Sequence, residues 1–443
     1  MPFLFYLLQL KYIYCIIIVS KFRRVGIMKT IITSIDIGTD TTKFVVGEYF
    51  NDKVNVLASH SIKSKGVRKG LIVDPGLATN MIKDGIKVIN SKLGITIKKV
   101  IVNIPSYNVN FMLVTGSLDI KNEGNVITTD DVNRVIKNSV YGKIPDEYEL
   151  LTVVPIDFII DGNKGNSKPV GKNGQKLEIK GIMISVPKKS VYSVLGVMEN
   201  AGLDVVDIVL SGMADYFEIK SDNIKNKVGA IINLGHDTTT VSVINRGKLM
   251  NTEVLQMGGK NIEKDIAYVF GVSVFDARSL KEKFASSHKR FCQLNDVYEV
   301  KNTLGDFVKL NQLEVSEVVM SRLSEILDLA RKQILLLTKH EINYLVITGG
   351  LTEIKSFKNL VYEIFDKNVI IYTVNTLGVR DNKYVTSLGM IKYFIDKMDS
   401  RGRIISLVSD NDAIELTNPK EKEKKDNSIS RLFTNFIGNK EEK

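Results

Sequence analysis

Apolar and polar positions along the chain divide it into strand-turn-strand units and amphipathic helices. Ile31 to Gly47 reads IITSIDIGTDTTKFVVG, two β-branched runs separated by a glycine in a short polar turn. Ala230 to Asn245, AIINLGHDTTTVSVIN, repeats that pattern in the second half of the chain. Each predicts a β-hairpin. Tyr344 to Gly350, YLVITGG, predicts a buried strand ending in paired glycines, and Leu351 to Lys355 the start of a helix. Between the hairpins, Asp130 and Asp131 open an apparent helix through Tyr141. Tyr148 to Ile160 and Ile179 to Val186 read as strands. The Gly/Asn/Lys-rich stretch from Asp161 to Gly174 reads as a mobile loop.

The two ends carry different apolar patterns. Pro2 to Ser20 is apolar apart from Gln9 and Lys11, and Lys21, Arg23 and Arg24 follow it. Three readings stand for residues 1–27: a start placed upstream of a natural Met28, a short membrane anchor with its positive flank on the cytoplasmic side, or neither. The misplaced start is favoured, because KTIITSIDIGT after Met28 is a natural first strand. At the other end, Thr417 to Asn427 is charged and reads as a solvated linker. In the following SISRLFTNFIG, the residues Ile429, Leu432, Phe433, Phe436 and Ile437 fall on one face of a helix. That face, half-buried in a lipid interface, would contribute on the order of several kcal/mol.

Composition narrows the class. The chain of 443 residues exceeds one ordinary core, so two or more domains are expected. The net charge of +11 reflects heavy use of Lys throughout, with no Arg-rich cluster or aromatic-interleaved basic stripe, so nucleic acid is not an expected partner. Cys15 and Cys292 cannot form a disulfide framework for a chain this large, and no Cys/His metal spacing exists. A reducing cytoplasm fits.

The turns suggest the chemistry. Glycine lets a backbone come close to phosphate, and N–H and hydroxyl groups donate to its oxygens. One such hairpin is no more than a β-turn; two, one in each half, predict two related lobes closing on one phosphate chain. Paired glycines after a buried strand allow flat approach of a nucleotide base. Hairpin, hairpin and then strand-Gly-Gly is the order of the actin/Hsp70/sugar-kinase ATPase superfamily, which this chain resembles. Within it, residues 28 to 443 are similar to FtsA, a bacterial cell-division family. Asp36-Ile37-Gly38-Thr39 with Lys43 resembles the family's first phosphate motif. Val67 to Pro75, Gly258-Gly259 with Ile262 and Asp265-Ile266-Ala267, Arg322 with Glu325, and Leu377 to Tyr393 resemble further family segments. Residues 109–187 resemble the small α/β insert that distinguishes FtsA.

The resemblance implies an α/β, two-lobed actin-like ATPase fold with an FtsA-type insert subdomain in the first lobe. The expected division is an apolar extension over 1–27, lobe 1 over 28–217 with the insert at 109–187, and lobe 2 over 225–367 with a smaller subdomain at 259–305. A return to lobe 1 at 368–400, a linker at 401–427 and an amphipathic membrane-targeting helix at 428–440 complete it. ATP and Mg2+ are the implied cofactors. Asp36, Gly38, Thr39, Thr42, Lys43, Asn233, Gly235, Asp237 and Thr238 are expected around the phosphates, with Asp36 acting on Mg2+ indirectly. Arg278, Lys281, Gly349 and Gly350 are expected around the nucleoside. The implied partners are the C-terminal peptide of FtsZ, held near residues 259–300, further copies of the chain in a filament, and membrane lipids at the cytoplasmic face of the division septum. A pilus-assembly adaptor and a small-molecule kinase of the same superfamily are the alternatives.

The second phosphate motif departs from the family. It normally begins with Asp and continues Gly-Gly-Gly-Thr; here Asn233 is followed by Gly235-His236-Asp237-Thr238. A Glu is usual where Arg278 stands. Binding without efficient hydrolysis is expected, with at most weak ATPase activity. Asp237 is the nearest substitute carboxylate, His236 reads as a solvent-facing turn residue, and Asn233→Asp is expected to raise turnover.

Overall fold

A computed structural model describes residues 30–365, 368–400 and 405–417. The expectations for residues 1–27 and for the helix at 428–440 lie outside the described residues.

The first lobe begins with an antiparallel meander of β1 (Thr30–Ile37), β2 (Thr41–Phe50) and β3 (Lys53–Lys63). All eight residues of β1 are buried, as its central place in the sheet requires. The short pair β4 (Val67–Arg68) and β5 (Leu71–Ile72) leads to α1 (Pro75–Leu93). Asp74 caps that helix by accepting from the Leu77 N–H, Pro75 occupies its first turn, and Gly94 ends it in the left-handed region. Next, β6 (Lys99–Ile104) adds to β1 in parallel.

The chain then leaves the lobe to build the insert. Its strands β7 (Asn110–Asp119), β8 (Tyr148–Ile160), β9 (Asn163–Asn166) and β10 (Lys176–Pro187) form a sheet in the order β7-β10-β8-β9. Helix α2 (Thr129–Val140) covers it, buried through Val132 and Val135 against Phe158, Leu177 and Ile179. A capping box of Thr128 and Asp131 starts α2. Part of the expected mobile loop is therefore ordered: Asn163–Asn166 pairs with β8, and the Asp157 carboxylate accepts the N–H groups of Gly165 and Asn166. After α3 (Lys188–Asn200), β11 (Asp204–Leu210) completes the five-stranded sheet β11-β6-β1-β2-β3, and α4 (Ser211–Ile219) follows it directly.

The second lobe repeats this plan. The meander β12 (Val228–Leu234), β13 (Thr239–Asn245) and β14 (Lys248–Leu255) precedes α5 (Gly259–Phe270), α6 (Val274–Ser279), the hairpin β15 (Val297–Lys301) and β16 (Phe307–Asn311), and the long α7 (Gln312–Leu337). Then β17 (Tyr344–Thr348) and β18 (Val369–Ile371), with α8 (Phe357–Phe365) between them, extend β12 in parallel. The order β14-β13-β12-β17-β18 matches the first sheet element for element. The segment after Gly349 opens as a 3-10 turn, Gly350–Glu353, and the helix begins later, at Phe357. Since β18 belongs to the second sheet, the return to lobe 1 begins after Ile371, later than the expected 368.

Helix α9 (Val385–Ser400) lies between the lobes against α4. The two helices approach so closely that a Cβ on Gly389 would sit 1.8 Å from the Ala214 carbonyl oxygen. Any larger residue there would push the lobes apart at their hinge. Beyond α9, part of the expected linker is structured. The Leu407 N–H donates to the Ile31 carbonyl, the Ile31 N–H donates to Ser406 Oγ, and α10 (Asp410–Thr417) follows. Leu407 and Ala413 are buried there, which explains why this segment stays on lobe 1.

Candidate functional site

The turns of both hairpins open onto one cleft between the lobes, with a volume of about 460 Å³, well within the range of small-molecule sites. Asp36, Gly38, Thr39 and Lys43 line it from lobe 1. Asn233, Gly235, Thr238, Arg278, Lys281, Gly349 and Gly350 line it from lobe 2. Most of the residues expected from sequence thus meet, although they come from opposite halves of the chain.

Two do not. Thr42 is fully buried, and its hydroxyl is hydrogen-bonded to Ser64 Oγ at 2.9 Å. Strand alternation accounts for this: Lys43 faces the cleft, so its neighbour faces away. Asp237 is also buried off the cleft, 3.0 Å from His236 Nδ1 and 3.7 Å from Lys260 Nζ. Lying off the cleft, it is not placed to act as the substitute carboxylate.

His236, read as solvent-facing, is instead half-buried and lines the cleft, with Nε2 3.2 Å from Glu263 Oε2. Burial would lower its pKa, and hydrogen bonds to Asp237 and Glu263 outweigh that and raise it above the usual imidazole range. The buried Lys281 donates to the other Glu263 oxygen at 2.6 Å. Burial pushes the Glu263 carboxyl up, and His236 and Lys281 together hold it below the ordinary value.

Arg278 is engaged across the cleft. Its Nη1 and Nη2 each donate to one oxygen of Asp40, both at 2.7 Å, and its Nε donates to Glu282. Asp40 stands in the turn of the first hairpin and also accepts from Lys63. Burial favours a neutral Asp40, but the bonds from Arg278 and Lys63 dominate and keep its carboxyl far below the carboxylate range. The pair is a two-pronged ion contact joining the lobes. Lys69 on lobe 1 likewise reaches Gln256 on lobe 2.

The floors of the two hairpins have partners that no local pattern reveals. In lobe 1, Asn103 Nδ2 donates to Asp36 Oδ1 at 2.8 Å, Lys43 Nζ to Asp36 Oδ2 at 3.1 Å, and the Ile37 N–H to Asn103 Oδ1 at 2.7 Å. In lobe 2, Asn233 Nδ2 donates to Asp215 Oδ2 at 2.7 Å, and Thr386 Oγ1 to Asp215 Oδ1 at 2.7 Å. Asp215 is 1% exposed. Its burial pushes the carboxyl up to about 7 against the pull of those two bonds. In Asn233→Asp the new carboxyl would stand at hydrogen-bond distance from the buried Asp215, and two such groups cannot both ionise without cost.

The lining suits an anionic nucleotide. Lys43 supplies a positive charge beside the first turn. A Cβ on Gly235 would lie 2.8 Å from the Thr238 carbonyl oxygen, and one on Gly38 would meet Lys43 Nζ and the Thr41 carbonyl, both at 2.7 Å. Gly349 has a φ of +99°, and its Cβ would lie 2.5 Å from Asn233 Oδ1, so only glycine fits there. Gly350 has open space where a side chain would project. Among the described residues no group of three or more His, Cys, Asp or Glu could hold a metal alone.

Comparison with known proteins settles the family. The family model described as cell division protein FtsA matches residues 230–389, and one described as the SHS2 domain inserted in FtsA matches residues 107–185. Cell division protein FtsA of Enterococcus hirae is 30% identical over 362 residues, which is 81% of this chain and 82% of that protein. The chain belongs to the FtsA family. FtsA of Bacillus subtilis (strain 168) is 28% identical over 86% of this chain and 87% of its own length. Two solved structures share the actin-like fold. MreB5 of Spiroplasma citri bound to ADP has a TM-score of 0.52 at 13% identity, covering 84% of this chain and 98% of its own. The PilM–PilN type IV pilus biogenesis complex has a TM-score of 0.54 at 14% identity, covering 81% and 97%. The insert at 107–185 is the family's own, so this FtsA homologue is a cell-division protein with an actin-like ATPase fold.

Proposed function

We propose that the chain binds Mg-ATP between its lobes, polymerises, and ties FtsZ filaments to the cytoplasmic face of the membrane at the division septum. The observation that carries this reading is the cleft itself: two duplicated hairpins and a strand-Gly-Gly segment converge on one space, in a chain with the FtsA insert. Gly38, Thr39 and Lys43 would hold phosphate from lobe 1, and Gly235 and Thr238 from lobe 2. Gly349 and Gly350 would leave room for the nucleoside, with Lys281 nearby. Asp36 would act on Mg2+ through its waters. Bound Mg2+ would neutralise phosphate charge, and closing the lobes on the complex would set the shape from which a filament grows.

The surface proposed for the FtsZ peptide, residues 259–300, exposes Tyr268, Phe275 and Phe291, apolar anchors of the kind a peptide groove uses. The membrane role rests on the apolar stripe of Ile429, Leu432, Phe433, Phe436 and Ile437. No helix among the described residues is long and apolar enough to cross a bilayer. A single amphipathic helix binds reversibly, and polymerisation would strengthen it by avidity. The family's insert weighs against a pilus adaptor or a small-molecule kinase.

Sedimentation with anionic lipid vesicles tests the proposal. Full-length protein with Mg-ATP should pellet with vesicles and carry FtsZ down with it. Protein lacking residues 428–443 should leave both in the supernatant. Equal pelleting by the two forms would overturn the membrane-tethering reading.

A further inference from the structure

Helix α4 lies under the cleft and touches both hairpin floors. Ser211, in its first turn, accepts from Asn103 Nδ2 at 3.0 Å and donates to the Ile104 carbonyl at 3.1 Å. Asn103 in turn holds Asp36. Four residues along the same face, Asp215 holds Asn233. One helical face therefore carries both contacts, one to the floor that holds Asp36 and one to the floor that holds Asn233.

The chemistry of Asp215 fixes which way Asn233 points. Both carboxyl oxygens of Asp215 accept hydrogen bonds, one from the amide nitrogen of Asn233 and the other from the Thr386 hydroxyl. The carbonyl oxygen of Asn233 is left beside Gly349 at the cleft, where the glycine has no side chain to cover it. With a donor in place of that accepting oxygen, the amide could turn over and present N–H groups, which repel a cation's waters.

We propose that Asp215 is a positioning residue that turns the Asn233 carbonyl oxygen toward the cleft, giving the lobe 2 floor an uncharged oxygen acceptor for a metal-bound water. The carboxyl stands one layer behind the floor, on the hinge helix, where it orients Asn233 and does not line the cleft. This rests on the reading of the cleft as a Mg-ATP site.

The test measures two quantities on the full chain: the thermal midpoint without nucleotide, and the affinity for a fluorescent ATP analogue with and without Mg2+. Asp215→Asn retains an acceptor and a donor for its two neighbours, so its midpoint should stay near wild type. Its Mg2+-dependent gain in affinity should shrink by about fivefold to tenfold, the worth of one oriented hydrogen bond. Asn233→Asp should lower the midpoint, because it sets two carboxyl groups against each other. The exchange Asp215→Asn with Asn233→Asp restores a carboxylate–carboxamide pair and should recover both the midpoint and the Mg2+ dependence. An unchanged Mg2+ gain in Asp215→Asn, or an exchange no better than Asn233→Asp alone, overturns the assignment. No binding by wild type would instead overturn the nucleotide reading.

Discussion

The two hairpin floors have the same strand plan and use the same two functional groups, in reversed places. In lobe 1 the carboxylate Asp36 is held by a carboxamide, Asn103 on β6, and both line the cleft. In lobe 2 the carboxamide Asn233 lines the cleft and is held from behind by a carboxyl, Asp215, on the hinge helix α4. In lobe 1 the front carboxylate also has a lysine, Lys43, at 3.1 Å. Among the described residues no lysine or arginine forms an ion pair with Asp215; its hydrogen-bond partners include Asn233 and Thr386, both neutral. The difference is one of depth. A carboxylate at the cleft can meet metal and phosphate directly, whereas a carboxyl behind it makes its hydrogen bonds to the group in front. Asn233 at the cleft thus has a buried carboxyl, Asp215, one layer behind it on the hinge helix α4.

The comparison can be broken from the lobe 1 side. Asn103→Ala removes the bonds to Asp36, Ser211 and the Ile37 N–H together, and leaves buried polar atoms unpaired. It should cost roughly 1–3 kcal/mol of unfolding free energy by denaturant titration. It should also weaken Mg-ATP binding, because Asp36 loses its support. A variant as stable as wild type would mean that the lobe 1 pair does not hold its floor together.

A smaller effect sharpens the comparison at the mouth of the cleft. Arg278→Ala opens the contact with Asp40, in which the arginine side chain is about a third exposed. Solvent screening limits the stability change to about 0.5–1 kcal/mol. The larger signature should be in motion: amides of the Asp36–Lys43 turn should exchange hydrogen faster in the nucleotide-free protein. Unchanged exchange would show that the Arg278–Asp40 contact does not hold the lobes together.

Much of this architecture is legible in the sequence, for local reasons. Both hairpins and the strand before Gly349 declare themselves through β-branched runs and glycine turns. Thr128 and Asp131 mark the start of α2. The partners that decide the chemistry are different. Asp40 and Arg278 are 238 residues apart, and Asp36 and Asn103 are 67 apart, so only the fold joins them. Asp215 had a faint signal, an acid inside the apolar run LSGMADYF, where a buried charge needs a reason. Asn103 had another, an amide closing a run of buried β-branched residues. His236 was misread because a polar turn usually faces water, and here Glu263 from α5 draws it into the cleft. Ser406 and Leu407 lie next to a charged tail and look like linker, yet their bonds to Ile31 tie them to the first strand.

The central claim is that Mg-ATP binds between the lobes with its metal-directed charge supplied by lobe 1 alone. Calorimetric titration of wild type and Asp36→Asn with ATP, each with and without Mg2+, tests it most directly. Wild type should bind one ATP per chain, more tightly with Mg2+, and Asp36→Asn should bind ATP with the Mg2+ gain abolished. Wild type without saturable binding, or Asp36→Asn with an undiminished Mg2+ gain, would contradict the account.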